Sequence, residues 1–266
     1  KICLNKIYKL SAGCKIAIEM LIFALLLVVS FLSAIMGTMI GMAMLILLPV
    51  MIFLGIPVHT AVATGRFSMV GVNLGNMTKF SKNEKLKPRY FMAFAIAGVI
   101  GSLIGASFLT SFNEKALKIA IGIFMIIVSI LVLLEDFVKP RKLHEKITLK
   151  HHALSALSGI FIGSYIGVLG GGGATLVILL LVMIYGLSFH DAVANQKAVT
   201  LPVSIIATLV FVYQGIIDYR LGIPLFIVNV MGGWIGASLI LKFSGAWLKR
   251  IIVPISIILG AGLIFL

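Results

Sequence analysis

The stretch VLGGGGATL, residues 168–176, places four consecutive glycines inside one of the most apolar parts of the chain. Glycine accepts backbone dihedral angles that are closed to other residues, so the run predicts an interruption in a membrane helix. Unwound backbone at membrane depth is tolerated only where protein or a water-filled cavity satisfies its polar groups. The glycines therefore predict a protected internal site at residues 170–173.

The composition around this stretch is that of a polytopic membrane protein. Hydrophobic residues make up 61% of the chain and charged residues 11%, and the mean hydropathy is +1.19. Apolar runs of roughly 17 to 25 residues suit a hydrocarbon core about 30 Å thick. The formal charge of +14 comes from Lys and Arg that lie mostly in tails and loops between the apolar runs. This pattern indicates membrane topology, with the lipid bilayer as a partner and no nucleic acid.

Ten apolar segments follow one another, and basic segments decide which of them cross. The apolar segments are about 16–36, 38–55, 61–78, 90–110, 116–134, 153–169, 173–187, 191–213, 221–241 and 248–266. If 38–55 and 173–187 are broken or re-entrant and do not cross, all three basic segments lie in the cytoplasm, as the positive-inside rule requires. This predicts an all-α protein with about eight full transmembrane helices and both termini cytoplasmic. Ten helices, as two inverted repeats of five, are the alternative.

An internal repeat divides the chain in two. HTAVATGR at 59–66 returns as HDAVANQK at 190–197, and IGAS at 104–107 returns at 235–238, both displaced by 131 residues. Paired repeats are typical of secondary transporters. The predicted organisation is a basic cytoplasmic tail at 1–15, a first membrane repeat at 16–134, a basic cytoplasmic loop at 135–152 and a second membrane repeat at 153–266.

Two cations inside apolar segments are the strongest functional signal. Arg66 and Lys197 share one repeat position, and a charged residue at the bilayer centre costs about 2.5 to 3.5 kcal/mol on an insertion scale. One interpretation is that their long side chains reach the lipid headgroups, which would avoid that cost. The favoured interpretation is that both converge on one central anion, with help from polar neighbours and helix-end amides. The predicted substrate-binding residues are Arg66, Lys197, Thr64, Asn195, Gln196, Asn73, Gly170, Gly171, Gly172 and Gly173.

Two histidines precede these cations at the same repeat position. His59 and His190 are candidates for proton coupling during transport, and Asp191 would tune the second of them. The alternative is that both histidines cap helices or lie at the membrane interface.

Motifs for chemistry are missing from the sequence. There is no metal-binding pattern, no Ser or Cys nucleophile motif and no P-loop after the glycine run, and the only cysteines are Cys3 and Cys14. We therefore expect no catalytic residues, no metal and no cofactor, and the chain is not predicted to be an enzyme.

The chain resembles the sulfite exporter TauE/SafE family over nearly its whole length. The resemblance rests on GVLGGGGATLVILLL at 167–181, on AVATGR and AVANQK, which are similar to the family's A-x-x-T-x-K pattern, and on GSLIGAS and GGWIGAS. It implies a permease of the bacterial inner membrane for small sulfur-containing anions such as sulfite, sulfoacetate or isethionate. Arg66 stands where the family has Lys, and Asn195 where it has Thr.

The expected function is secondary transport of a small anion, most simply a sulfur oxyanion or organosulfonate. An anion channel is one alternative, and a membrane scaffold or assembly factor without transport is another. A homo-oligomer, the direction of transport and the coupling ion are left open by the sequence.

Overall fold

The computed structural model describes residues 12–83, 86–134, 147–170, 172–240 and 246–265, which are helical and contain no strand. Ten α-helices lie in these ranges. They are α1 (Ala12–Ile40), α2 (Ala43–Phe53), α3 (Val58–Asn83), α4 (Pro88–Phe108), α5 (Glu114–Leu134), α6 (Leu149–Val168), α7 (Gly173–Tyr185), α8 (Phe189–Tyr213), α9 (Tyr219–Ile240) and α10 (Ala246–Phe265).

Helix length separates eight of these elements from the other two. Within the described ranges, α2 and α7 have 11 and 13 residues, and every other α-helix has at least 20. At about 1.5 Å per residue the short helices extend about 16 and 20 Å, less than a hydrocarbon core. Six helices are both long and apolar enough to cross a membrane. Large apolar side chains such as Leu21 and Phe161 are about 70% exposed on the outside. The protein is an all-helical, multi-pass membrane protein.

Glycines let parallel helices pack at backbone distance. Gly163 of α6 lies against Gly98 of α4, and a Cβ at either Gly101 or Gly105 would collide with a carbonyl oxygen of α6. On the other side of the bundle, Gly75 of α3 meets α9 in the same way. These contacts run in register, so α4 is parallel to α6 and α3 is parallel to α9. Close approach through small residues is the usual packing device between membrane helices.

Contacts at the helix ends set the remaining directions. His59 Nε2 lies 2.9 Å from the carbonyl oxygen of Phe112, which brings the start of α3 to the end of α4. Lys87 Nζ lies 3.1 Å from Asp191 Oδ2, which brings the start of α4 to the start of α8. Helices α3 and α8 are therefore antiparallel. We call the end of the bundle where α3 begins the Val58 end and the opposite end, where α4 begins, the Pro88 end.

The first helix runs in the same direction as α3. Ser30 of α1 donates to Asn229 of α9 at 2.8 Å, and further along Gly236 of α9 packs on Thr38 of α1. Because α9 is parallel to α3, α1 also starts at the Val58 end, and α2 must bring the chain back. The basic segments at 79–89 and 135–152 both adjoin the Pro88 end, opposite to the start of α1. The directions thus follow the ten-helix alternative. They do not follow the eight-crossing arrangement, which places all three basic segments on one side.

The two short helices follow sharp interruptions that meet inside the molecule. Gly41 precedes α2 with φ +80°, and Gly172 precedes α7 with φ +73°. Positive φ favours glycine because it has no Cβ. Thr175 Oγ1 donates to the carbonyl oxygen of Ile40 at 3.0 Å, so one interruption satisfies an end carbonyl of the other. The predicted break at the glycine run is present, and α1 is interrupted in the same way.

Two helices begin inside segments that the sequence assigns to a tail or a loop, and α1 is one of them, since it begins at Ala12 within the predicted 1–15 tail. Helix α6 begins at Leu149, where Thr148 and His151 form a capping box, so the last four residues of the predicted 135–152 loop are helical. Residues 135–146 and the tail at 1–11 lie outside the described residues.

Candidate substrate site

A cavity lies between six helices, three from each half of the chain. It has a volume of about 60 Å³. A buried water needs at least about 10 to 15 Å³, so the cavity has room for a few waters or for an anion of about four or five heavy atoms. The lining residues that matter below are Met44, Arg66, Met69, Asn73, Asn76, Ile166, Gly170, Gln196, Lys197, Thr200 and Ser204.

Helices α3 and α8 cross at the middle of this cavity. Asn73 Nδ2 donates to Ser204 Oγ at 3.2 Å, and these residues are 131 positions apart. Arg66 and Lys197 each lie seven residues before their member of this pair, which is about 10 Å of helix rise. Because the helices are antiparallel, the two cations lie on opposite sides of the crossing. We call these parts of the cavity the Arg66 end and the Lys197 end.

The Arg66 side chain is held by the end of α6. Its Nη2 donates to the carbonyl oxygen of Ile166, in the last turn of that helix. The guanidinium group also lies directly on Gly170, where a Cβ would collide with it. Gly170 has φ +78°, so both its dihedral angle and this contact require glycine. The Nε atom of Arg66 is buried without a hydrogen-bond partner among the described residues.

The Lys197 side chain is held by the end of α1. Its Nζ donates to the carbonyl oxygen of Thr38 at 3.2 Å. The Thr38 hydroxyl lies 3.0 Å from Asn76 Oδ1, so Asn76 belongs to the same end of the cavity. On α8, Gln196 Nε2 donates to the hydroxyl of Thr200 at 2.9 Å. The Lys197 end therefore combines an ammonium group with several neutral polar side chains.

Both cations contact the last turn of the first long helix of the opposite half. The last carbonyl groups of a helix lack partners within it and carry partial negative charge, which a cation stabilises. Arg66 and Lys197 are 4% and 3% exposed, respectively. The cavity lining includes no carboxylate among the described residues. Two buried positive charges without an acidic partner give the cavity a positive potential that favours an anion.

Three of the predicted site residues that the structure describes do not line the cavity, namely Thr64, Asn195 and Gly173. Thr64 Oγ1 accepts from the backbone N–H of Asp218 at 3.0 Å, and Asn195 Oδ1 accepts from the backbone N–H of Lys87 at 2.9 Å. The two acceptors are 131 residues apart, and so are the two donors. The same contact is therefore present once in each half of the chain. Each contact joins the start of a helix in one half to a helix of the other half.

Two of the candidate proton-coupling residues, His59 and Asp191, also lie away from the cavity lining. His59 contacts the Phe112 carbonyl group at the Val58 end, and Asp191 pairs with Lys87 at the Pro88 end. The side chain of His190 lies outside the described residues, and so does Gly171. Gly172 lines the cavity, whereas Gly173 begins α7 and packs on Ile166.

Several lining residues were not in the predicted set, namely Met44, Met69, Asn76, Thr200 and Ser204. The seven-residue step from the cations leads to Asn73 and Ser204. The shorter helical step of three or four residues leads from Gln196 and Lys197 to Thr200, and from Asn73 to Asn76. That spacing was available in the sequence, whereas the contribution of Met44 from α2 required the tertiary fold.

Similarity to known proteins identifies the family of this chain. The sequence matches the family described as "Sulfite exporter TauE/SafE" over residues 22–263. The chain belongs to the sulfite exporter TauE/SafE family. It is a membrane transporter, and the family is not a class of enzymes. Within the described residues of this TauE/SafE protein, no group of three or more His, Cys, Asp or Glu is placed to hold a metal ion.

Curated relatives carry names of the same kind. "Probable membrane transporter protein YdhB" of Bacillus subtilis (strain 168) is 25% identical over 212 residues, which cover 79% of this chain and 86% of that protein. "Probable membrane transporter protein YunE" of the same strain is 23% identical over 266 residues, covering 91% of this chain and 97% of the relative. A "Probable membrane transporter protein" of Haemophilus influenzae is 21% identical, with 92% and 95% covered.

Proposed function

We propose that this TauE/SafE protein is a secondary transporter of a small oxyanion, most simply sulfite or an organosulfonate of similar size. The observation that carries the proposal is the cavity with two buried cations, Arg66 and Lys197, and no carboxylate among the described residues of its lining. The family description supports a sulfur oxyanion. The volume of about 60 Å³ favours sulfite over the larger sulfoacetate and isethionate.

We also propose that the chain consists of two inverted repeats of five helices each. The support is the recurrence of contacts at a spacing of 131 residues, as in the antiparallel pair Asn73 and Ser204 and in the hydrogen bonds of Thr64 and Asn195. Inverted repeats place a substrate near the membrane midplane, at the interface between the repeats. The cavity between three helices of each half fits that position.

The proposed orientation places the Pro88 end in the cytoplasm of a bacterial-type inner membrane. The segments 79–89 and 135–152 adjoin this end and are rich in Lys and Arg, and such loops are retained inside. The start of α1 and the end of α10 then face the outside, in contrast to the prediction that both termini are cytoplasmic.

Anion binding and helix movement are coupled in this proposal. Arg66 and Lys197 each hold a carbonyl group at the interruption of the opposite repeat. An anion that takes a share of these donors weakens the contact between the two repeats. Binding energy would thereby favour rearrangement of the interrupted helices, which alternating access requires.

Binding is tested first by a thermal-stability screen of purified protein. The ligands are sulfite, sulfate, thiosulfate, isethionate, sulfoacetate and chloride at matched ionic strength. A ligand at about 100 times its Kd adds roughly 2.7 kcal/mol to the native state. We expect selective stabilisation by sulfite, lost in Lys197→Ala and kept in Lys150→Ala, a lysine that is exposed at the start of α6.

Transport is tested in proteoliposomes by uptake of radiolabelled sulfite. A secondary transporter gives saturable uptake and counterflow, whereas an anion channel gives neither. Stabilisation or uptake that is equal in Lys197→Ala and Lys150→Ala contradicts the proposed site. A scaffold without transport predicts no ligand-dependent stabilisation and no uptake.

A further inference from the structure

The two ends of the cavity differ at positions that the repeat makes equivalent. Gln196 at the Lys197 end corresponds to Gly65, and Thr200 corresponds to Met69, each 131 residues earlier. Thr200 and Met69 both line the cavity. The methyl group of Met44 fills the space beside Gly65, so a second methionine lies near the Arg66 end. One end therefore has neutral polar side chains where the other has thioethers.

At the Lys197 end, donors remain available. An ammonium group has three donors, and the described contacts of Lys197 use one of them, on Thr38. Gln196 is 1% exposed, and its Oε1 has no partner among the described residues. The Thr200 hydroxyl accepts from Gln196 Nε2 and donates to the backbone carbonyl oxygen of Gln196 at 3.1 Å. It can donate to Oε1 instead when the amide is turned over, because the two amide orientations have the same shape. In the second orientation Gln196 turns an N–H donor toward the cavity.

At the Arg66 end, the charge is enclosed. The guanidinium group donates to Ile166, and the backbone of Gly170 covers one face of it. Met69, Met44 and Ile166 are the neighbouring side chains in the lining at this end, and none of them has a donor. An anion there would lose its water and gain one cation but no donor from these three side chains, which is the more costly desolvation.

We propose, on the basis of the transport function proposed above, that the oxyanion binds at the Lys197 end through Lys197 and Gln196, that the Thr200 hydroxyl holds the Gln196 amide with its N–H group toward the anion, and that Met69 excludes a second anion from the Arg66 end. Arg66 then acts as a positioning residue that holds the last turn of α6. Thr200 and Met69 are the residues that decide between one bound anion and two.

The test is titration calorimetry of the purified full chain with sulfite. We expect one site per chain in the wild type. Thr200→Met should lower the affinity at least about 10-fold, since Gln196 loses the hydroxyl that holds its amide and with it the hydrogen bond from its N–H group to the charged anion. The matched control is Thr208→Met, a buried threonine two turns further along α8 that does not line the cavity. This control should keep the wild-type affinity.

The converse variant is Met69→Thr, which should add a second sulfite site. Met69→Gln, which keeps the length of methionine, gives the same readout if Met69→Thr does not fold. Met92→Thr, at an exposed methionine of α4, should leave one site. Equal affinities of Thr200→Met and Thr208→Met, or two sites in the wild type, overturn this inference alone. A single sulfite site in the Met69 variant that folds also overturns this inference alone. Absence of anion binding by the wild type removes the proposed function and this inference together.

Discussion

The Arg66 end and the Lys197 end of the cavity have the same backbone plan and different side chains. Each has a buried cation that donates to a carbonyl group in the last turn of the opposite half's first helix. Around Lys197 the neighbours are Gln196 and Thr200, whereas around Arg66 they are glycine and methionine. In the proposed pair of repeats, the cation thus stays where it stabilises an interrupted helix, while the neighbouring positions differ. The cation position alone does not define a ligand site.

The largest effect that separates the two ends is expected at the cations themselves. Lys197→Met should abolish most sulfite affinity, by about 10- to 100-fold, because a charge-assisted hydrogen bond is worth about 1.5 to 3 kcal/mol. Arg66→Met should change the affinity less and lower the melting temperature more, since the Ile166 carbonyl group loses its donor and Gly170 also loses the guanidinium group that packs on it. Calorimetry and thermal unfolding of both variants provide the measurement. Equal losses of affinity would mean that the two ends bind the anion jointly.

The next effect concerns the glycine that lies under Arg66. Gly170→Ala combines an unfavourable positive φ with a collision against the guanidinium group, so we expect a loss of about 2 kcal/mol or more in unfolding free energy. Gly215→Ala is the matched control, because Gly215 has φ +67° with open space around its Cβ position. This control should cost only about 1 kcal/mol, the price of the dihedral angle. Equal melting temperatures of Gly170→Ala and Gly215→Ala would show that the Arg66 side chain moves away from the new methyl group without a loss of stability.

A smaller effect is expected at the contact that the repeat makes twice. Thr64→Ala and Asn195→Ala each remove an acceptor for a backbone N–H group, so each should lower stability by about 1 kcal/mol without changing sulfite affinity. Asn195→Thr should retain most of the stability, since Thr64 makes the equivalent contact. A loss of sulfite affinity in either alanine variant would mean that the substituted residue takes part in substrate binding.

The smallest effect is expected at the Pro88 end of the bundle. The ion pair of Lys87 and Asp191 is partly exposed, with side chains 37% and 31% accessible. Lys87→Ala should therefore change stability by less than about 1 kcal/mol, and less at high salt. Uptake measured from pH 5 to 8 should keep its wild-type profile in Asp191→Asn. A flattened profile would restore Asp191 to a coupling role.

The sequence predicts the fold class correctly, because a membrane helix requires a run of apolar residues long enough to cross a bilayer. It also predicts the interruption at the glycine run and the relation between Arg66 and Lys197. The number of membrane crossings is harder to predict from the sequence, because α2 and α7 are apolar but each is too short to cross the bilayer by itself. The charges of the loops favour the eight-crossing arrangement, in which α2 and α7 do not cross the bilayer. The helix directions in the structure differ from that arrangement.

The site could be predicted only in part, for a geometric reason. Seven-residue steps along α3 and α8 select Asn73 and Ser204, but periodicity within one helix does not say whether two helices run parallel or antiparallel. An antiparallel crossing separates Arg66 from Lys197 and turns Thr64 and Asn195 toward helix starts in the other half. Met44 and the carbonyl groups of Thr38 and Ile166 come from elements distant in sequence.

By itself, then, the sequence determined a helical membrane protein with a glycine-interrupted helix and two cations at matching positions of a sequence repeat, since composition and repetition are properties of the linear chain. Only the tertiary structure decided which partner each cation has and how far apart the two lie. The physical reason is that a buried charge is stabilised by the groups around it, and here those groups belong to the opposite half of the chain.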